Sequence, residues 1–207
     1  GLINDLGEFV LRRACDDTMG WLPAAPELSV SVNVSGRQLL TPNLHLLAAD
    51  VLSCSGLPSA NLTLEITENV FIENAEPALQ TLHQLKDLGI RLRMDDFGTG
   101  YSSLAYLRRL PIDGLKIDQS FVASMEASAG DAAMVRGILE LADSLGLDAV
   151  AEGVERQEQR QLLRDMPCAF AQGYHYARPM PAEDVLTIVQ ADAALGDDAD
   201  RRGPIIP

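Results

Sequence analysis

The stretch LRMDDFGTGYSSL, residues 92–104, sets an apolar run against two adjacent aspartates, followed by a Phe-Gly-Thr-Gly turn and a string of hydroxyls. Together with Ile90 and Arg91 the run reads as a buried strand whose polar residues gather at its C-terminal end. Five further short aliphatic or β-branched runs share this character: LSVSVNVS (28–35), LTLEIT (62–67), LKID (115–118), LDAVAEG (147–153) and CAFAQGY (168–174). Between several of them lie helical patterns. Leu79, Leu82, Leu85 and Leu88 fall on one face of a helix stopped by Gly89. A second helix carries Val135, Ile138, Leu141 and Leu145, with Asp131 as the expected N-cap and Gly146 as the stop. Strand alternating with helix predicts a parallel sheet with helical crossovers. No strand is followed by Gly-x-Gly-x-x-Gly, the usual mark of an open doubly wound sheet, so the rhythm favours a TIM-type (β/α) barrel.

In such a barrel the C-terminal strand ends converge on one mouth, where the chemistry sits. The polar residues that interrupt these runs lie toward those ends: Asn33, Glu65, Asp95 and Asp96, Lys116 and Asp118, Glu152, and Gln172. Each alone has an ordinary explanation. An Asp pair is usually a solvated turn or a cap, and Glu65 or Lys116 could be a surface charge. Their shared position is harder to explain that way. Carboxylates gathered in one mouth repel, and something cationic must compensate. The donor set is all oxygen, which suits hard divalent ions, Mg²⁺ or Mn²⁺ and also Ca²⁺. A second aspartate beside Asp95 makes sense if a second metal is bound, the arrangement used for in-line attack on phosphodiesters. The FGTGYSS segment reads as a mobile loop at the site, with Glu68 either anchoring it or standing as a solvated turn residue.

The 207 residues carry 30 Asp and Glu against 16 Lys and Arg, a formal charge of −14 that argues against a nucleic-acid polymer as partner. Cys15, Cys54 and Cys168 are scattered, without Cys-x-x-Cys spacing, and predict neither a disulfide framework nor a thiolate metal site. A reducing cytoplasm fits, with no membrane contact by this portion. The last residues, 191–207, read as a tail or linker after a domain spanning 1–190.

SVNVSGRQL, LEITE, DDFGTGYSSLAYLRRLPIDGLKID, AEGVE and QGYHYARPMP occur in this order, and the series resembles that of EAL-domain phosphodiesterases, bacterial enzymes that hydrolyse cyclic di-GMP. The resemblance covers most of the chain, to about Val189. It implies a modified TIM-type barrel with one antiparallel strand, two Mg²⁺ or Mn²⁺ ions, Ca²⁺ as an inhibitory substitute, and linear pGpG as product. It further implies that Asn33, Glu65 and Asp95 hold one metal, and that Asp95, Asp96 and Glu152 serve the second. Lys116 would orient or help deprotonate the attacking water, making Lys116, Glu152 and Asp96 the catalytic set. Gln172, Gly173 and Pro179 would contact the nucleotide. Glu68, Gly98, Thr99, Gly100, Ser102 and Glu155 would support the loop and the site. The family's Glu-Ala-Leu strand, with a metal-binding glutamate and a nearby arginine, precedes the segment matching GLINDLGEFVL. The barrel is therefore expected to be N-terminally incomplete in this chain. His175 and Tyr176 stand at commonly apolar positions and are expected to alter the rim.

Homodimerisation and an upstream sensory or GGDEF-type domain are the partners the family suggests. A competing reading is a catalytically silent receptor for the same nucleotide that acts through a protein partner. Silent relatives tend to lose metal ligands or degrade the DDFGTG loop, whereas Asn33, Glu65, Asp95, Asp96, Lys116 and Glu152 are all present, and only the absent first strand argues the other way. A Mg²⁺ barrel enzyme that makes enolates with a lysine base also places carboxylates on strand ends, but the adjacent aspartates fit it less well.

Overall fold

The computed structural model describes residues 1–68, 70–100 and 107–194. The chain divides into two compact units, one built from Gly1–Leu92 and the segment from Met180, the other from Arg93–Pro179.

In the first unit, α1 (Leu2–Trp21) leads to β1 (Val30–Val34), then α2 (Gly36–Leu39), α3 (Leu44–Ser55), β2 (Leu62–Thr67) and α4 (Val70–Asp87), with α8 (Ala182–Ala194) added from the end of the chain. β1 and β2 pair in parallel, as alternating strand and helix require. Leu11, Cys15 and Thr18 are buried along one face of α1, spaced four and three residues apart. The Thr18 hydroxyl donates to the Ala14 carbonyl at 2.7 Å, so its burial leaves no polar group unpaired. On α4 the fully buried stripe is Ala78, Leu82 and Leu85, and Leu79 and Leu88 lie at its margins. A strict three-residue interval drifts around a 3.6-residue helix, which is why the outer leucines of the expected stripe leave the core. Each fully buried leucine contributes about 1.5–3 kcal/mol.

β3 (Arg91–Phe97) carries the chain into the second unit, which continues with β4 (Gly114–Ile117), α5 (Gln119–Ser124), α6 (Ala129–Leu145), β5 (Asp148–Ala151), α7 (Gln157–Arg164) and β6 (Phe170–Ala171). β3 pairs with β4, β4 with β5, and β5 with β6, all in parallel. α6 lays Val135, Ile138, Leu139 and Ala142 toward β4 and β5. It ends at Gly146, as expected, but the N-cap is Ser128 rather than Asp131. The Ser128 hydroxyl accepts the Asp131 N–H at 3.1 Å, so Asp131 stands in the first turn, where its charge favours the helix dipole instead of capping the end.

Strand positions match the aliphatic runs, with β6 trimmed to two residues because the chain turns away after Gln172. The antiparallel strand implied by the resemblance is not among the described pairings. Every described pairing within either unit is parallel. No described helix is long and apolar enough to cross a membrane.

Candidate metal centre

The second unit builds an acidic cluster from the ends of β3 and β5, the two parallel strands that flank β4. Carboxylate oxygens of Asp95, Asp96 and Glu152 lie within 4.8 Å of one another. In a regular strand Asp95 and Asp96 would point to opposite faces. The β3–β4 register prevents this: Met94 pairs with Leu115 and Phe97 with Ile117, so Asp95 and Asp96 together oppose the single residue Lys116. This is a β-bulge, and Asp96 takes the left-handed backbone conformation, φ 55°, that the extra residue demands. Aspartate tolerates that conformation better than most side chains. The Asp96 N–H donates to Asp95 Oδ1 at 3.0 Å and helps hold the first carboxylate.

Lys116 is 3% exposed, and its ammonium lies 3.2 Å from Asp95 Oδ1 and in direct contact with Glu152 Oε1. Glu152 follows the last residue of β5, held there by its N–H donating to the Ile117 carbonyl at 3.2 Å. Lys116 neutralises part of the cluster's charge but leaves an excess of carboxylates. Burial pushes the Asp96 carboxyl above the ordinary aspartate range, the Asp95 and Asp118 charges add to this, and Lys116 opposes it. The closeness of the Asp118 side chain raises it further. Three carboxylates this close, all oxygen donors and still under mutual repulsion, fit a hard divalent cation.

Asn33 and Glu65 belong to the first unit and are register partners on β1 and β2, so their side chains share one sheet face. Glu65 is 4% exposed while Asn33 is open to solvent. Glu68, just past β2, is buried, and its carbonyl accepts the Phe71 N–H at 3.2 Å.

After the bulge, Thr99 closes a turn by donating its hydroxyl to the Asp96 carbonyl at 3.0 Å. Gly98 is half-buried, Gly100 is exposed, and Ser102 lies outside the described residues. Glu155 presents an exposed carboxylate, and it is its N–H, bound by Gln159 Oε1 at 2.8 Å, that ties it to the fold.

Gln172 is fixed beside Glu152 through its backbone: its N–H donates to the Ala151 carbonyl at 2.8 Å, and its carbonyl accepts the Val154 N–H at 3.0 Å. Gly173 is required by packing, since a Cβ there would lie 2.3 Å from the Val154 carbonyl oxygen. Pro179 is exposed. On the same loop His175 and Tyr176 meet edge to face at 5.2 Å, and the Arg178 guanidinium lies 4.6 Å from the Tyr174 ring centre.

Two residues gain a part that the strand-end pattern alone did not assign. Asp118 was visible as a polar residue two positions after Lys116, and the structure sets its charge near Asp96 and makes it the N-cap of α5, where it accepts the Ser120 N–H at 2.9 Å. Gln159, buried at 2% exposure, sits on a helix that no strand-end pattern could flag.

The family model described as the EAL domain matches residues 1–179. The chain is 42% identical over 198 residues to the cyclic di-GMP phosphodiesterase NbdA of Pseudomonas aeruginosa, covering 94% of this chain and 25% of that protein. It thus spans about a quarter of the length of such curated relatives. Its fold resembles the solved PaMucR phosphodiesterase in c-di-GMP complex, at 39% identity and a TM-score of 0.85, with 89% of this chain and 75% of that chain covered. It also resembles Klebsiella pneumoniae BlrP1 in a manganese/cy-diGMP complex, at 28% identity and a TM-score of 0.75, with 86% and 44% covered. Bulge, cluster, motif order and these likenesses lead to one conclusion: the chain belongs to the EAL-domain family.

Proposed function

We propose that the chain is a metal-dependent phosphodiesterase that hydrolyses cyclic di-GMP to linear pGpG. The observation that carries this reading is the bulged Asp95–Asp96 pair, which meets Glu152 around a buried lysine in a chain of this family. Two Mg²⁺ or Mn²⁺ ions would lower the pKa of a bound water and neutralise charge developing on the phosphoryl oxygens. Asn33, Glu65 and Asp95 are assigned to one ion, and Asp95, Asp96 and Glu152 to the other. The buried Lys116 ammonium, already beside Asp95 and Glu152, is suited to holding the attacking water's oxygen and managing its proton. Gln172, Gly173 and Pro179 are assigned to the nucleotide. Glu68, Gly98, Thr99, Gly100, Ser102 and Glu155 are assigned to holding the loop and the site. The relatives are about four times as long as the part this chain matches, which leaves room for the upstream sensory or GGDEF-type domain proposed for the whole protein; action in the cytoplasm and pairing with a second copy are proposed with it.

The test is direct. Purified protein with Mn²⁺ should convert cyclic di-GMP to pGpG, resolved by ion-exchange chromatography. Tight binding of the nucleotide with no product would reverse the reading in favour of a silent receptor that signals through a protein partner.

A further inference from the structure

We propose that Gln159 is a positioning residue for Glu152: it latches the loop after β5 onto α5, the helix that follows Lys116 and Asp118. The proposal rests on the reading of Glu152 as a metal ligand.

Gln159 is the third residue of α7 and only 2% exposed. Its Oε1 accepts the N–H groups of Glu155 at 2.8 Å and Arg156 at 2.9 Å, and its Nε2 donates to the Val122 carbonyl at 3.3 Å. These partners leave one orientation for the amide, because reversing it would set an NH₂ group against two N–H donors. A glutamine at this position commonly reaches back to the N-cap N–H and does no more. Gln38 stays local in this way at α2, where its Oε1 accepts the N–H and the hydroxyl of the N-cap Ser35 at 3.1 and 2.6 Å. Gln159 takes a second backbone N–H and spans 37 positions of sequence to another helix.

Its target explains the reach. Val122 and Ala123 lie in the last turn of α5, where carbonyls have no partner within the helix. Gln159 satisfies the first and the Arg156 guanidinium, at 3.3 Å, satisfies the second, while Arg156 also pairs with Glu126 at 3.2 Å. At the other end of α5, the loop approaches so closely that a Cβ on Gly153 would lie 2.7 Å from Gln119 Cβ. Gly153 has φ 69°, so both its space and its backbone require glycine. The loop from Gly153 to Arg156 is therefore pinned to both ends of α5. That helix starts at the Asp118 cap, directly after the strand that carries Lys116. Beyond the Glu152 N–H bond to Ile117, register between the Glu152 and Lys116 segments passes to these loop contacts, and Gln159 is their buried centre.

The experiment compares Gln159→Met, which keeps the volume and removes every hydrogen bond, with Gln159→Glu, which keeps the acceptor, in the full chain. Glu126→Gln, which weakens a partly exposed ion pair, serves as the control. Mn²⁺ affinity without nucleotide, amide hydrogen exchange at Glu155 and Arg156, melting temperature, kcat and KM are measured. Gln159→Met should weaken Mn²⁺ binding about 10-fold, as loss of a group that orients a ligand does. It should also lower kcat with KM for the nucleotide nearly unchanged and speed exchange at both amides. Gln159→Glu keeps the two loop bonds but cannot donate to the Val122 carbonyl, so it should recover only part of the affinity, and Glu126→Gln should match the wild type.

Wild-type Mn²⁺ affinity in Gln159→Met would overturn the proposal even if the melting temperature fell, because the residue would then be only structural. Should the methionine variant not fold, Gln159→Asn supplies the comparison: it keeps the amide but cannot span all three partners, and undiminished Mn²⁺ affinity in it would equally overturn the proposal. A wild-type chain that binds Mn²⁺ without cleaving cyclic di-GMP overturns the phosphodiesterase reading alone, whereas one that binds no Mn²⁺ overturns both.

Discussion

Asp95 and Asp96 are neighbours in the chain and yet offer carboxylate oxygens to one cluster, because a β-bulge sets both of them opposite Lys116. The second carboxylate is displaced from the face it would otherwise occupy, at the cost of a left-handed backbone and of like-charge repulsion. Such a feature persists where function requires it.

Asp96→Asn keeps the shape and the tolerated backbone while removing one of the repelling charges. It should raise the melting temperature of the metal-free protein, by about 1–3 °C. The same change should lower turnover about 100-fold and leave nucleotide binding within a few-fold. Scanning calorimetry with EDTA and steady-state kinetics with Mn²⁺ check the two halves, and equal losses in binding and turnover would contradict the metal role.

Lys116→Met tests the buried cation. Removing the ammonium takes away the charge that lies between Asp95 and Glu152 and should destabilise the metal-free protein by about 3 kcal/mol. Mn²⁺ should restore much of that stability, because a divalent ion supplies the missing charge, yet activity should stay absent. Urea unfolding with and without Mn²⁺ measures the difference.

Gly173→Ala should lower stability by about 3 kcal/mol, since the new methyl would meet the backbone of Val154 and neither side can retreat along a flexible chain. Because Gln172 is held by the same backbone bonds, nucleotide affinity should fall with it. Urea denaturation and nucleotide titration below the transition separate the two effects.

Cys15 is fully buried on α1, and burial pushes its thiol from 9.0 up to about 11. The folded state therefore holds its proton when the unfolded chain has released it. The contribution is complete below pH 9 and is lost as the pH rises toward 11. Replacing Cys15 with Ala should flatten the alkaline fall in stability across that window. At pH 8 a thiol reagent should label the exposed Cys54 promptly and Cys15 only as fast as the protein unfolds.

Much of this was legible in one dimension. The six strands, the helix stops and the polar residues at strand ends follow from local rules: a period of two or 3.6, a left-handed glycine, a run too short for a helix. Parallel pairing followed too, since helical crossovers allow nothing else. The motif series pointed to the EAL family before any coordinates, because long ordered motifs are specific in a way that no single residue is.

Other features were not written locally. A bulge is a mismatch between two strands, so Asp96's direction exists only once Met94 and Phe97 have found Leu115 and Ile117. Ser128 took the cap from Asp131 because a cap depends on where the backbone leaves the helix, not on which residue is acidic. Asp118 became a neighbour of Asp96, and Gln159 a link between a loop and a distant helix, through contacts whose members lie 22 and 37 positions apart. Residue order alone determined which side chains could do the chemistry. Packing decided which of them face one another, because hydrogen bonds and charges act over a few ångströms of space and take no account of separation along the chain.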